Sequence, residues 1–219
     1  MKTKTSVTLV SALAAGGAGA LAQSSIVYSG PLNLQQNYDA VNYRQPVSMT
    51  GGATPDFTFG YDSNTLKPYV DTRTSVSTEI PVQSGIVSLF EKPGSKGLPV
   101  TPAGTMIDAA YAAAFPVNFA RGYMYQDDTQ AVAGDWSNTA VTEGYVGIEL
   151  ALGDGNHYGW LHFIDDPVSN PNSLTLVDWA YDSVAGVGIQ TAMVPEPSAL
   201  ALLGLGLGSL LIRRKGSRP

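Results

Sequence analysis

An all-β fold is what this chain of 219 residues predicts: a β-sandwich of antiparallel strands, with a jelly-roll arrangement open, and one short helix. Three observations carry that expectation. Charged residues make up 14% of the chain, against about 25% in ordinary soluble domains, while glycine (24) and proline (14) are raised. Runs rich in β-branched and aromatic residues recur between clusters of turn-forming residues. Only one stretch carries a helical period.

The chain opens with "MKTKTSVTLVSALAAGGAGALA". Lys2 and Lys4 precede an apolar stretch from Val7 to about Ala20, and Ala20-Leu21-Ala22 forms a small-x-small cleavage site before Gln23. This is the layout of a helical secretory signal peptide over residues 1–22, with cleavage after Ala22. A single domain is expected over 23–193, since no repeat, charge block or linker divides it.

Strand-like runs follow at 25–29, 56–61, 75–82, 85–90, 118–125, 145–152, 157–164 and 174–181. Pro46, Pro55, Pro68, Pro93, Pro99, Pro102, Pro167 and Pro171 fall largely between them, where a missing donor does no harm. "GTMIDAAYAAAF", residues 104–115, predicts the helix, with Met106, Ala110, Tyr111 and Ala114 on one face.

The clearest unit is "GYVGIELALGDGNHYGWLHFIDD". Val146, Ile148, Leu150 and Leu152 alternate onto one face of a half-buried strand, and Gly147, Glu149 and Ala151 onto the other. Gly153-Asp154-Gly155-Asn156 predicts a hairpin back into 157–164. There Leu161 and Phe163 face the core while Tyr158, Trp160 and His162 line the opposite face. "SLTLVDWAYDS" is expected to add a third strand after a turn at 165–172.

The chain closes with "VPEPSALALLGLGLGSLLIRRKGSRP". Fifteen residues, Ser198 to Ile212, carry no charge. As a helix they cover about 22 Å, short of the ~30 Å hydrocarbon core, so snorkelling arginines must close the gap. The basic residues Arg213, Arg214, Lys215 and Arg218 should stay cytoplasmic, placing the rest of the chain outside. Pro195 and Pro197 keep Val194-Pro-Glu-Pro out of helix and central strand, as a stiff extended segment.

Pro-Glu-Pro, a short glycine-bearing apolar segment and an arginine-rich end together resemble the PEP-CTERM sorting signal. The resemblance implies that Val194, Pro195, Glu196 and Pro197 form the recognition motif and Arg213 and Arg214 the retention signal. It further implies export through the Sec translocon and transient tethering at 198–212 in the inner membrane, with the basic tail 213–219 inside. Removal of the tail by exosortase, a multi-pass membrane protease, would then leave the protein extracellular or on the cell surface. Hosts of that family are mostly Gram-negative bacteria that make exopolysaccharide, which makes exopolysaccharide a candidate partner. Residues 144–190 ("YVG", a Gly/Asp turn, "HYGW", "LVDWAYDS", "AGVGIQ") also resemble a pattern common in PEP-CTERM ectodomains, implying a secreted β domain and no particular chemistry.

Charge excludes one class of partner. Within residues 24–194, six basic residues face seventeen acids, a balance of −11, which repels phosphate backbones, so no nucleic-acid binding is expected. Cysteine is absent, removing disulfides and thiolate chemistry. His157 and His162, five apart on an alternating strand, should point to opposite faces and cannot readily share a metal. No metal, cofactor or catalytic residue is expected. The carboxylates at Asp127-Asp128, Asp165-Asp166, Glu143 and Glu149 leave a glycosidase open, because separation in space decides that chemistry. Tyr158, Trp160, Trp179 and Tyr181 could present aromatic faces side by side to a glycan, or fill a core.

The function expected is that of a non-enzymatic structural or adhesive component of a polysaccharide-rich surface. A secreted carbohydrate-binding or carbohydrate-cleaving protein is the alternative, and a permanently anchored single-pass protein is a third reading.

Overall fold

The computed structural model describes residues 25–37, 44–61, 68–72, 87–93, 97–118, 121–124, 135–137, 142–165 and 173–194. The strand expected at 75–82, the Asp127-Asp128 pair, the signal peptide with Ala20, Ala22 and Gln23, and everything past Val194 lie outside the described residues.

The chain is mostly antiparallel β-sheet with one short α-helix. In order its elements are β1 (Ile26–Tyr28), β2 (Leu34–Asn37), β3 (Arg44–Val47), β4 (Phe57–Tyr61), β5 (Pro68–Asp71), β6 (Val87–Phe90) and β7 (Met106–Ile107). There follow α1 (Ala109–Ala114), β8 (Val117–Asn118), β9 (Arg121–Tyr123), a 3-10 turn (Asp135–Ser137), β10 (Glu143–Leu152), β11 (Gly155–Asp165), β12 (Ser173–Asp182) and β13 (Ile189–Gln190). A seven-stranded sheet runs β1-β12-β11-β10-β6-β8, with β2 also on β12. A four-stranded sheet runs β3-β4-β5-β9, and β13 pairs with β7 alone.

The β10–β11 hairpin is tighter than the four-residue turn expected. Leu152 pairs with Gly155, leaving only Gly153 and Asp154 between the strands. Gly155 takes φ 138°, a value that glycine adopts without strain. Val146, Ile148, Leu150, Leu161 and Phe163 form one apolar cluster with Val47, Phe57, Phe59 and Val70 of the four-stranded sheet. The Phe59 and Phe163 rings meet edge to face at 5.5 Å.

The half-buried expectation for β10 needs correction, because the second face of the large sheet is covered as well. Tyr145, Tyr158, Trp160 and Ala180 pack there against Phe90, Ile107 and Ile189, with Tyr111 and Phe115 alongside. Gly147 leaves the room this requires: a Cβ there would lie 3.0 Å from both Phe90 and Tyr111. The helix is also shorter than the span 104–115. Asp108 caps it, accepting from the N–H groups of Ala110 and Tyr111 at 2.9 Å each. Met106 therefore sits before the helix, in β7, paired with Gln190 rather than sharing a face with Ala110.

β12 carries a bulge that simple alternation does not foresee. His162 pairs with Asp178 while Phe163 pairs with Leu176, so Val177 has no opposite residue. Its carbonyl accepts instead from the N–H groups of Leu32 and Asn33, at 2.7 and 3.2 Å. Beyond the bulge the buried parity switches: Leu174 and Leu176 share their cluster with Trp179 and Tyr181. Two prolines expected between strands lie within them. Pro46 is on β3, an edge strand, and Pro68 is the first residue of β5, both places where a ladder tolerates a lost donor. No helix among the described residues is long and apolar enough to cross a membrane.

Candidate functional sites: the sorting junction and a histidine–carboxylate cluster

The last described strand is only two residues long, yet it is firmly held. Ile189 pairs with Ile107, Gln190 pairs with Met106, and the Trp160 indole N–H donates to the Gln190 carbonyl at 3.1 Å. Gly188 permits the close approach, since a Cβ there would meet Asp108 Cβ at 2.8 Å and the Ile107 carbonyl at 3.2 Å. Buried Thr191 closes the element. Its N–H donates to the Thr105 carbonyl at 2.9 Å and its carbonyl accepts from Gly104 at 3.1 Å. Its hydroxyl donates to the Pro102 carbonyl at 2.6 Å and accepts from the Thr105 N–H at 3.0 Å. Ala192 then turns with φ 65°, and Met193 and Val194 emerge 45% and 41% exposed.

A second group of side chains converges on His162. Its Nδ1 lies 3.1 Å from Asp178 Oδ1 and its Nε2 lies 2.9 Å from Glu143 Oε1, while the Tyr145 ring stacks on it at 4.5 Å. Tyr28 donates its hydroxyl to Asp178 Oδ2 at 2.7 Å, tying β1 to the same group. Each ring nitrogen thus faces a carboxylate oxygen, so either tautomer has an acceptor for its N–H. Burial first, then the bond to the Asp178 carboxylate, pushes the Tyr28 phenol up from 10.0 to about 12. The fold thus favours the neutral phenol, and that stability is complete below pH 10 and lost as pH rises toward about 12. Tyr28→Phe is expected to lower stability by about 0.5–1 kcal/mol at neutral pH. It should also remove one proton from the alkaline stability slope, read from urea melts between these limits.

Comparison with protein families decides what the first of these sites is for. The model of the PEP-CTERM protein-sorting motif matches residues 194–215, beginning at Val194, the last of the described residues. The chain carries the PEP-CTERM sorting motif. It is therefore an exosortase-targeted exported protein, bound for the cell surface or extracellular space. No curated protein matches the chain, and no solved structure does. Of the residues read as the motif, Val194 is described and exposed, whereas Pro195, Glu196, Pro197, Arg213 and Arg214 lie outside the described residues.

The four aromatic residues weighed as a glycan platform are not brought together on one surface. Tyr158 and Trp160 lie on the sheet face covered by α1 and the β7–β13 pair, and Trp160 is fully buried. Trp179 and Tyr181 lie on the opposite face, stacked with each other at 6.1 Å in the cluster shared with the second sheet. The bulge at Val177 is the physical reason, because it reverses which face each residue of β12 presents.

The histidines are likewise apart. His157 contacts the Asp182 carbonyl at 2.8 Å and Asp154 Oδ1 at 2.9 Å, and its hydrogen bond holds the Asp154 carboxyl below its ordinary value. Among the described residues no group of three His, Asp or Glu side chains is placed to hold a metal ion. Glu143 and Glu149 share a face six residues apart, about 20 Å along a strand, beyond glycosidase separation. Asp165 is buried at the end of β11. Glu143 and Asp178 are nearer to each other, but the His162 ring occupies the space between them where a glycosidic bond would have to sit. Sequence alternation placed His162 on the right face; Tyr28 and Asp178 came to it through pairings that no local pattern records.

Proposed function

We propose that this is an exported, non-enzymatic structural or adhesive protein of a polysaccharide-rich cell surface, processed by exosortase and carried as a β-sandwich over residues 23–193. One observation carries the reading: the sorting motif begins at Val194, directly after Met193, whose N–H makes the last hydrogen bond of the described fold. A cargo that closes on itself immediately before its address can lose the address and keep its fold. The seven aromatic, histidine and carboxylate side chains Tyr28, Glu143, Tyr145, Tyr158, Trp160, His162 and Asp178 are spent on one another or on the core, which supports a structural role. Residues 1–22 serve as the Sec signal, and 198–212 tether the precursor in the inner membrane until the tail is removed.

Intact mass of the protein recovered from culture supernatant and cell surface tests this. The expected species begins near Gln23 and lacks residues 198–219. A mature species retaining that tail would overturn processing and leave a permanent anchor.

A further inference from the structure

We infer that the face surrounding the chain exit rests on the lipid surface while the precursor is tethered. This rests on the reading that residues 198–212 enter the bilayer. Segments 97–118 and 183–194, which build β7, α1 and β13 and the turns between them, contain one charged residue, Asp108. Its carboxylate is occupied in capping α1. Elsewhere the domain is strongly acidic, so a face whose segments carry one charge is the one that approaches anionic headgroups with least repulsion.

The same face carries apolar side chains in water. Among the described residues the exposed large hydrophobics are Met106, Ile164, Met193 and Val194, and all but Ile164 flank the exit. Methionine is flexible and apolar, suited to a disordered headgroup boundary. Tether length enforces the orientation. Thr191 is fixed by its hydrogen bonds to Pro102, Gly104 and Thr105, and the apolar stretch begins at Ser198. Seven residues span at most about 25 Å. The exit face is consequently the part of the domain nearest the bilayer, and the segments that build it carry the single charge of Asp108.

The absence of cysteine makes the test clean. Full-length protein bearing Met106→Cys, or Ala53→Cys in the exposed β3–β4 connection as reference, is reconstituted in vesicles of phosphatidylethanolamine and phosphatidylglycerol. Flotation reports the tether, and reaction with a membrane-impermeant maleimide reports the face. The expected result is flotation of both variants, with labelling at position 106 slowed about tenfold relative to position 53 by interfacial burial. Flotation with equal labelling overturns the lipid-facing assignment alone. Failure to float overturns the tether and the orientation with it. Protection that grows with the protein-to-lipid ratio gives the face to a second copy of the chain and equally overturns the inference.

Discussion

Trp160→Ala is expected to destabilise the protein by about 3–5 kcal/mol, the range for removing a large aromatic from a packed core. Trp160 is fully buried, meets the Tyr145 ring edge to face at 5.3 Å and lies 6.4 Å from Tyr28. Its indole N–H also holds the Gln190 carbonyl, so the substitution loosens β13 as well as emptying the core. In a domain of this length the loss lowers Tm by about 10 °C. Trp160→Phe separates the two effects: most of the ring volume stays, while the hydrogen bond to β13 goes, for about 1 kcal/mol. Urea and thermal melts of both variants give the answer. A Trp160→Ala protein as stable as the parent would place the indole at the surface and restore a glycan-contact role for it.

That expectation shows where sequence reasoning succeeded and where it stopped. The period-2 patterns of β10 and β11 placed Val146, Ile148, Leu150, Leu161 and Phe163 in one cluster because each strand keeps its parity. β12 looked equally regular, yet one extra residue, Val177, reverses its second half and sends Trp179 away from Trp160. A bulge of this kind is set by what lies across the ladder, here the Leu32 and Asn33 N–H groups, and sequence distance hides that. Alternation puts Gly147 of "YVG" on the second face of its strand without giving a reason for glycine there. Its reason is a cover of Tyr111, Ile107 and Phe90 delivered from elsewhere in the chain. β2, β3 and β5 were not anticipated, two of them because they contain proline, whose cost vanishes at an edge or a first position.

The sorting signal was legible for the opposite reason: it is read as a linear segment, so no tertiary pairing conceals it. This separation yields the second large effect. Pro195→Ala, Glu196→Ala and Pro197→Ala combined are expected to leave most of the exported protein unprocessed, with mature product falling about 30-fold, as when a recognition anchor of about 2 kcal/mol is removed. A proline has no N–H donor and disfavours helical geometry in the residue before it, so replacing both removes that restriction from the recognition segment. Stability should not change by more than about 0.5 kcal/mol, because the hydrogen bonds that hold the β7–β13 element among the described residues reach no further than Met193. Intact mass reads the first quantity and a urea melt the second. Loss of processing with an unchanged melt makes the motif a pure address; a lowered melt would mean that residues past Val194 belong to the fold, and that removing the tail weakens the cargo it releases.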